Sequence, residues 1–214
     1  MNDKHHTRLA GGLIIAATVG SLVLMLHHPT SLDGHDDGLL MADWTNSGVH
    51  GGMIACLLLL RFGFSDWARR LGREHASVRA GAMAFDAGMT AFVAAALVNG
   101  FAVSGLLAAQ ADPAAVRLQV AAFGALNRAL ANFGMILTVV AMALWAVRML
   151  RLDALTRLAG AVGVAVALAA VGWMIVGQGA FGLVPAAVAT VLFGAWSILV
   201  ASRMMRDQPP GEAG

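Results

Sequence analysis

The sequence predicts an all-α membrane protein, a bundle of six transmembrane helices with both termini in the cytoplasm. Three observations lead to this prediction. Hydrophobic residues make up 59% of the 214 residues and charged residues only 12%, whereas a soluble domain has about a quarter charged residues. Apolar runs of bilayer-spanning length recur along the chain. The basic residues gather in every second connection between these runs.

The composition also excludes some partners. The formal net charge of +2 does not indicate nucleic-acid binding, because the basic residues lie at the ends of apolar runs and form no single stripe. The single cysteine, Cys56, lies inside an apolar run, so the chain has no disulfide framework and no CxxC motif. The predicted surroundings are the lipid bilayer, with no nucleic acid.

The first apolar run, residues 9–26, follows two basic residues as a signal peptide would. It is longer than a signal sequence core and has no small-residue cleavage site before His27. We therefore interpret it as an uncleaved first helix. Pro29 ends it, because the proline ring disfavours helical geometry at the preceding residue. Asn46 or Ser47 is then a suitable N-cap for the second helix.

Five further helices are predicted at residues 49–64, 81–107, 118–147, 158–176 and 181–201. Together with the first helix they form one domain.

The domain covers residues 1–207, with an outer loop at 28–48, and a flexible C-terminal tail covers 208–214. The segment 66–79 is predicted to be a basic loop between the second and third helices.

The distribution of arginine and lysine predicts the orientation. The N-terminus, the second and fourth connections and the C-terminus hold nearly all of these residues. Basic residues favour the cytoplasmic side of a membrane. We therefore expect a multi-pass protein of the cell inner membrane, N-in and C-in, with the 28–48 loop outside.

A cluster of histidine and acidic residues marks this outer loop and its two flanking helices. Imidazole and carboxylate groups are the ligands that suit zinc, iron and copper. The predicted metal ligands are His27, His28, His35, Asp36, Asp37 and His50. The sequence leaves open whether they bind a transition metal (Cu, Zn or Fe) or haem b, with His50 and either His27 or His28 as axial ligands.

Polar residues inside the third and fourth helices form a second candidate site. Ionisable groups within a bilayer are costly and often functional. The predicted polar cavity comprises Asp86, Asn99, Asn127, Arg128 and Asn132. Asp86 and Arg128 lie at different depths, because their positions on antiparallel helices differ by well over ~10 Å in height at 1.5 Å per residue.

Three functional hypotheses follow. The first is an outward-facing His/Asp site that binds a metal ion or haem for redox work, metal handling or sensing. The second is a small transporter or channel that uses the polar cavity. The third is a non-catalytic accessory subunit of a larger membrane complex, or a homo-oligomer. No arrangement of nucleophile and base is visible, so the sequence does not favour an enzyme.

Overall fold

The computed structural model describes residues 3–29, 44–108, 113–176 and 183–206, and over these ranges the chain is all-helical, without strands. The helices are α1 (Asp3–Leu26), α2 (Asn46–Gly72), α3 (Ala76–Leu97), α4 (Ser104–Ala108), α5 (Pro113–Met149), α6 (Ala154–Val176) and α7 (Leu183–Met205). A π-helix, Val98–Val103, joins α3 to α4 without a break, so that α3, the π-helix and α4 form one long helix.

Within the described ranges, six helices are long and apolar enough to cross a membrane. A bilayer core about 30 Å thick needs about 20 apolar residues in a helix. The prediction of an all-α chain with six such helices is confirmed. The C-terminal tail 208–214 lies outside the residues that the structure describes.

The boundaries of α2 differ from the prediction at both ends. Its N-cap is Thr45, whose hydroxyl accepts a hydrogen bond from the backbone N–H of Gly48 at 3.3 Å, so the expected cap at Asn46 or Ser47 is wrong by a residue or two. At the other end α2 continues to Gly72. Of the segment 66–79, predicted to be a loop, residues 66–72 are therefore helical, and residues 76–79 are helical as well because α3 begins at Ala76.

This extension of α2 has a simple cause. Trp67, Ala68 and Leu71 are all buried, so the apolar face of the helix continues past the point where its exposed face becomes charged. Hydropathy averages over both faces and therefore ends the segment too early. The chain turns only at Gly72, whose φ of +92° is in the left-handed region that favours glycine.

The six long helices form a closed ring. Each packs against the next in the order α1, α2, α3, α5, α6, α7, and α7 packs against α1. We call the two ends of this ring the histidine end, where α1 ends and α2 begins, and the arginine end, where α2 ends and α6 begins. All helices therefore run antiparallel to their neighbours in the ring.

Aromatic residues fill the centre of the ring toward the arginine end. Phe64 of α2 stacks on Trp196 of α7 and on Trp145 of α5, with ring centres 5.1 and 5.7 Å apart. The two indole N–H groups donate to the carbonyls of Ala159 and Val78, at 3.0 and 3.2 Å. Because both buried indole N–H groups have hydrogen-bond acceptors, the two rings stabilise the core by packing and leave no unsatisfied donor of their own.

Close packing is much weaker toward the histidine end for three of the helices. No residue is buried at 115–133 of α5, at 168–176 of α6 or at 187–193 of α7, the parts of these helices whose side chains the structure describes there. Buried residues at that end belong to α1, α2, α3 and the π-helix. Any site at the histidine end is therefore built on these elements.

A buried ion pair holds α6 against α7 at the arginine end. Asp153 is the N-cap of α6, and it accepts hydrogen bonds from the backbone N–H and the hydroxyl of Thr156 at 3.2 and 2.8 Å. Arg203 of α7 donates to the same carboxylate at 3.1 Å. Burial alone would raise the pKa of the Asp153 carboxyl, but the bonds from Thr156 and Arg203 outweigh it and hold that pKa below its ordinary value.

Replacing Asp153 by asparagine leaves Arg203 buried, with 6% of its side chain exposed, opposite a neutral group. We expect Asp153→Asn to lower the free energy of unfolding at pH 7 by about 3 kcal/mol. Because the folded-state pKa lies below the unfolded-state value of 3.8, the carboxylate stabilises the fold above that value and loses its effect as the pH falls through the folded-state pKa. Thermal unfolding in detergent at pH 7 and at steps below 3.8 measures this.

The matched control is Glu74→Gln, because the Glu74 side chain is 76% exposed and should change stability by less than about 0.5 kcal/mol. Equal stabilities of Asp153→Asn and the unmodified chain at pH 7 would contradict the assignment, as would a difference that grows at acidic pH.

Candidate functional site

The histidine end contains a connected group of polar side chains that we call the His50 cluster: His28, Asn46, His50 and Asn99. Three elements contribute to it, because His28 follows the end of α1, Asn46 and His50 lie in the first two turns of α2, and Asn99 lies in the π-helix. The His50 side chain is buried, with 6% of the residue exposed. A polar ring buried in this way needs partners for both of its nitrogens.

His50 has those partners. Its Nδ1 lies 2.8 Å from the carbonyl oxygen of Asn46, one helical turn earlier. A carbonyl oxygen only accepts, so Nδ1 carries the proton and donates it. In the neutral ring Nε2 is then the acceptor, and it receives a hydrogen bond from the side-chain amide of Asn99 at 3.0 Å.

The π-helix brings Asn99 to this position. In a regular α-helix, residues five apart point about 140° away from each other, but in the wider π turn Asn99 and Ser104 lie on the same side. Both side chains face α2: the Ser104 hydroxyl accepts from the Asn46 side-chain amide at 3.1 Å, and the Asn99 amide reaches His50. The Asn46 amide also donates to the backbone carbonyl of Asn99 at 2.9 Å. The Ser47 hydroxyl donates to the next carbonyl, that of Gly100, at 2.8 Å.

Gly100 permits the close approach of α2 to the π-helix. A Cβ added there would overlap the Cβ of His50 and lie 2.8 Å from its Cγ. Since Gly100 is buried, a larger residue could be accommodated only by moving one helix away from the other. The contact between Gly100 and His50 therefore sets the distance at which Asn99 meets the imidazole.

His28 brings a second imidazole to the cluster. Its ring meets that of His50 edge-on, with centres 5.1 Å apart and planes 69° apart. The Nδ1 of His28 lies 2.8 Å from the carbonyl oxygen of Pro29, so by the same reasoning Nδ1 donates and Nε2 carries the lone pair. Both rings are thus oriented by bonds from Nδ1 to backbone carbonyls.

His27 has a different environment. Its ring stacks on that of Trp44 with centres 4.1 Å apart and planes within 7°, and its carbonyl accepts from the Trp44 backbone N–H at 3.3 Å. This contact joins the two ends of the predicted outer loop. Three other predicted ligands, His35, Asp36 and Asp37, lie outside the residues that the structure describes.

Of the predicted metal ligands, the structure therefore brings His28 and His50 together and places His27 against Trp44. Among the side chains in the described ranges, no group of three His, Cys, Asp or Glu residues is arranged to hold a metal ion. A complete set of ligands from the outer loop stays a prediction.

The residues of the predicted polar cavity contact different parts of the structure. Asn99 belongs to the His50 cluster, whereas Asp86 forms an ion pair with Arg61 of α2 at 2.9 Å, both side chains about half exposed. On α5, Arg128 is exposed and Asn127 is half-buried.

Asn132, also on α5, is half-buried. A single polar cavity formed by Asn99, Asp86, Arg128, Asn127 and Asn132 stays a prediction. The partner of Asp86 is an arginine of α2 that the sequence analysis did not select.

The sequence analysis also missed the roles of Asn46, Ser104 and Gly100. A signal for them was present, because Asn99–Gly100 interrupts an apolar run and Asn-Gly pairs disfavour regular helix. The pair lies in the first half of the π-helix, and π turns within α-helices often occur at functional sites.

Comparison of the chain with protein-family models, with curated proteins and with solved structures finds no match.

The close contact at Gly100 leads to a prediction with a matched control. Gly100→Ala forces α2 and the π-helix apart, and we expect it to lower the free energy of unfolding by about 1–3 kcal/mol. Gly105→Ala, in α4, places its methyl where no atom lies within 4 Å and should be neutral or slightly stabilising. Thermal unfolding of the two variants in detergent compares them; equal stabilities would show that the helices do not meet as closely as described.

Proposed function

We propose that this chain is a multi-pass protein of the cell inner membrane that binds a transition-metal ion at its histidine end, outside the cytoplasm. The six long apolar helices support the membrane location. The arginines support the orientation, because most of those in the described ranges lie at the arginine end: Arg8, Arg69, Arg70, Arg73, Arg79, Arg148, Arg151, Arg157, Arg203 and Arg206. Only Arg117 and Arg128 lie nearer the histidine end.

The orientation of the two imidazoles carries the metal-binding proposal. A histidine that binds a metal through one nitrogen usually donates from the other to a carbonyl or carboxylate, which fixes the tautomer. His50 and His28 both have this arrangement, with Nδ1 on the carbonyls of Asn46 and Pro29. Each ring thus presents Nε2 as its lone-pair nitrogen.

The separation of the rings is compatible with one shared ion. Two imidazoles on a tetrahedral ion, with metal–nitrogen bonds of about 2.0–2.1 Å, have ring centres about 5 Å apart. The centres of His28 and His50 lie 5.1 Å apart. We propose these two as ligands, with His35, Asp36 or Asp37 completing the set from the outer loop.

A metal ion fits the pair better than haem does. Axial ligands of a haem iron lie on opposite faces of the porphyrin, and the edge contact between His28 and His50 leaves no space for a porphyrin between them. Imidazole with carboxylate suits zinc, copper(II) and iron. Copper or iron would supply a redox centre, and zinc a Lewis acid or a structural link; the proposed roles are redox work, metal handling or sensing.

Metal binding by purified protein tests the proposal. We expect about one ion per chain in a titration with Zn²⁺ or Cu²⁺, and we expect His50→Ala and His28→Ala each to weaken binding about 100-fold. The control is His75→Ala at the arginine end, where the histidine side chain is 43% exposed beside Glu74. Elemental analysis and a visible spectrum of the protein as purified accompany the titration.

Binding that survives both substitutions at His28 and His50 would overturn the assignment of the site, and a chain that binds no metal would overturn the function. A Soret band in the unmodified protein that disappears in His50→Ala would indicate that the site binds haem and not a metal ion.

The proposed orientation can be tested separately with introduced cysteines in a Cys56→Ala background. Ala115, exposed near the start of α5 at the histidine end, and Glu74, exposed at the arginine end, are each replaced by cysteine. We expect a membrane-impermeant maleimide to label Ala115→Cys on intact cells and Glu74→Cys only after permeabilisation. The reverse pattern would place the His50 cluster in the cytoplasm.

A further inference from the structure

We propose that Asn99 is the residue that controls access to Nε2 of His50. This inference extends the proposed metal-binding function, on which its metal-affinity part rests, but the protection of Nε2 by Asn99 can be measured without any metal. Three observations support it: the tautomer of His50, the independent anchoring of the π-helix and the exposure of Asn99.

The tautomer makes Nε2 the only reactive nitrogen of the ring. Nδ1 is protonated and donates a hydrogen bond to the carbonyl of Asn46 at 2.8 Å. The Asn99 amide donates to Nε2 at 3.0 Å, so it occupies the lone pair that a metal ion or any other electrophile requires. A ligand can reach His50 through Nε2 only when this hydrogen bond opens.

The anchoring of the π-helix lets the Asn99 side chain move without unfolding its surroundings. The backbone carbonyls of Asn99 and Gly100 are held by the side chains of Asn46 and Ser47, and neither of these bonds involves the Asn99 amide. The side chain can therefore rotate while the backbone stays in place. For the same reason, truncation of Asn99 should leave the fold of α3 and the π-helix intact.

The exposure of Asn99 provides room for this rotation. His50 is buried, but Asn99 is only partly buried, so protein does not enclose the whole of this residue. The hydrogen bond that it would leave is a single neutral one, which contributes modestly to stability. Asn99 thus acts as a gate that closes on Nε2 and competes with a ligand for it.

The first experiment measures the reactivity of His50 in the full chain in detergent. Diethyl pyrocarbonate transfers an ethoxycarbonyl group to the lone-pair nitrogen of neutral imidazole, and mass spectrometry of peptides follows each histidine separately, with His75 as the internal reference. We expect Asn99→Ala to raise the rate at His50 about fivefold relative to His75. The control Gln119→Ala, which removes an exposed amide side chain of α5, should leave the ratio unchanged.

Titration with Zn²⁺ alone then separates the gate from the metal-binding function. If Asn99 competes with the ion, Asn99→Ala binds Zn²⁺ about fivefold more tightly. Weaker binding by Asn99→Ala would overturn the inference, because Asn99 would then be a ligand. If His50 is modified faster in Asn99→Ala but neither this variant nor the unmodified protein binds Zn²⁺, the protection of Nε2 by Asn99 is supported and the proposed metal-binding function is overturned.

A measurement on the unmodified chain covers the case in which Asn99→Ala does not fold. Two-bond ¹H–¹⁵N correlation spectra report which imidazole nitrogen is protonated. We expect His50 to be the neutral Nδ1–H tautomer, which allows Asn99 to donate to Nε2. A neutral Nε2–H tautomer would overturn the inference, as would an unchanged rate of His50 modification in Asn99→Ala.

Discussion

Two hydrogen bonds from side chains of α2 to backbone carbonyls of the π-helix shape the histidine end of the protein. Asn46 and Ser47, in the first turn of α2, supply the partners for the carbonyls of Asn99 and Gly100. These bonds lock α2 to the π-helix at one height, and that height places His50 opposite Asn99.

The two ends of the bundle are held by different forces. At the arginine end, stacked aromatic rings around Phe64 and the buried pair of Asp153 and Arg203 join four helices. At the histidine end, described residues of α5, α6 and α7 contribute no buried side chain, and hydrogen bonds join α2 to the π-helix. A tightly packed arginine end thus supports a polar site at the histidine end.

Much of this organisation could be predicted because it depends on local patterns. Long apolar runs identified the six helices, and the density of histidines directed attention to His28 and His50, which do lie together. The prediction failed where it assumed a uniform α-helix. At 100° per residue Asn99 points away from the face of Ser104, whereas the π turn directs both side chains toward α2, Ser104 to Asn46 and Asn99 to His50. Averaged hydropathy likewise ended α2 too early, because it does not separate a buried face from a charged one.

The sequence by itself determined the class of the molecule, since the length of its apolar runs and the scarcity of charge leave no alternative to six long helices. The sequence also places His27, His28 and His50 where the first helix ends and the second begins. Tertiary structure decided which polar groups meet: Asn99 with His50, Arg61 with Asp86, and His27 with Trp44. These pairs depend on the relative height and rotation of neighbouring helices, which small residues such as Gly100 and the extra width of the π turn set through contacts between distant parts of the chain.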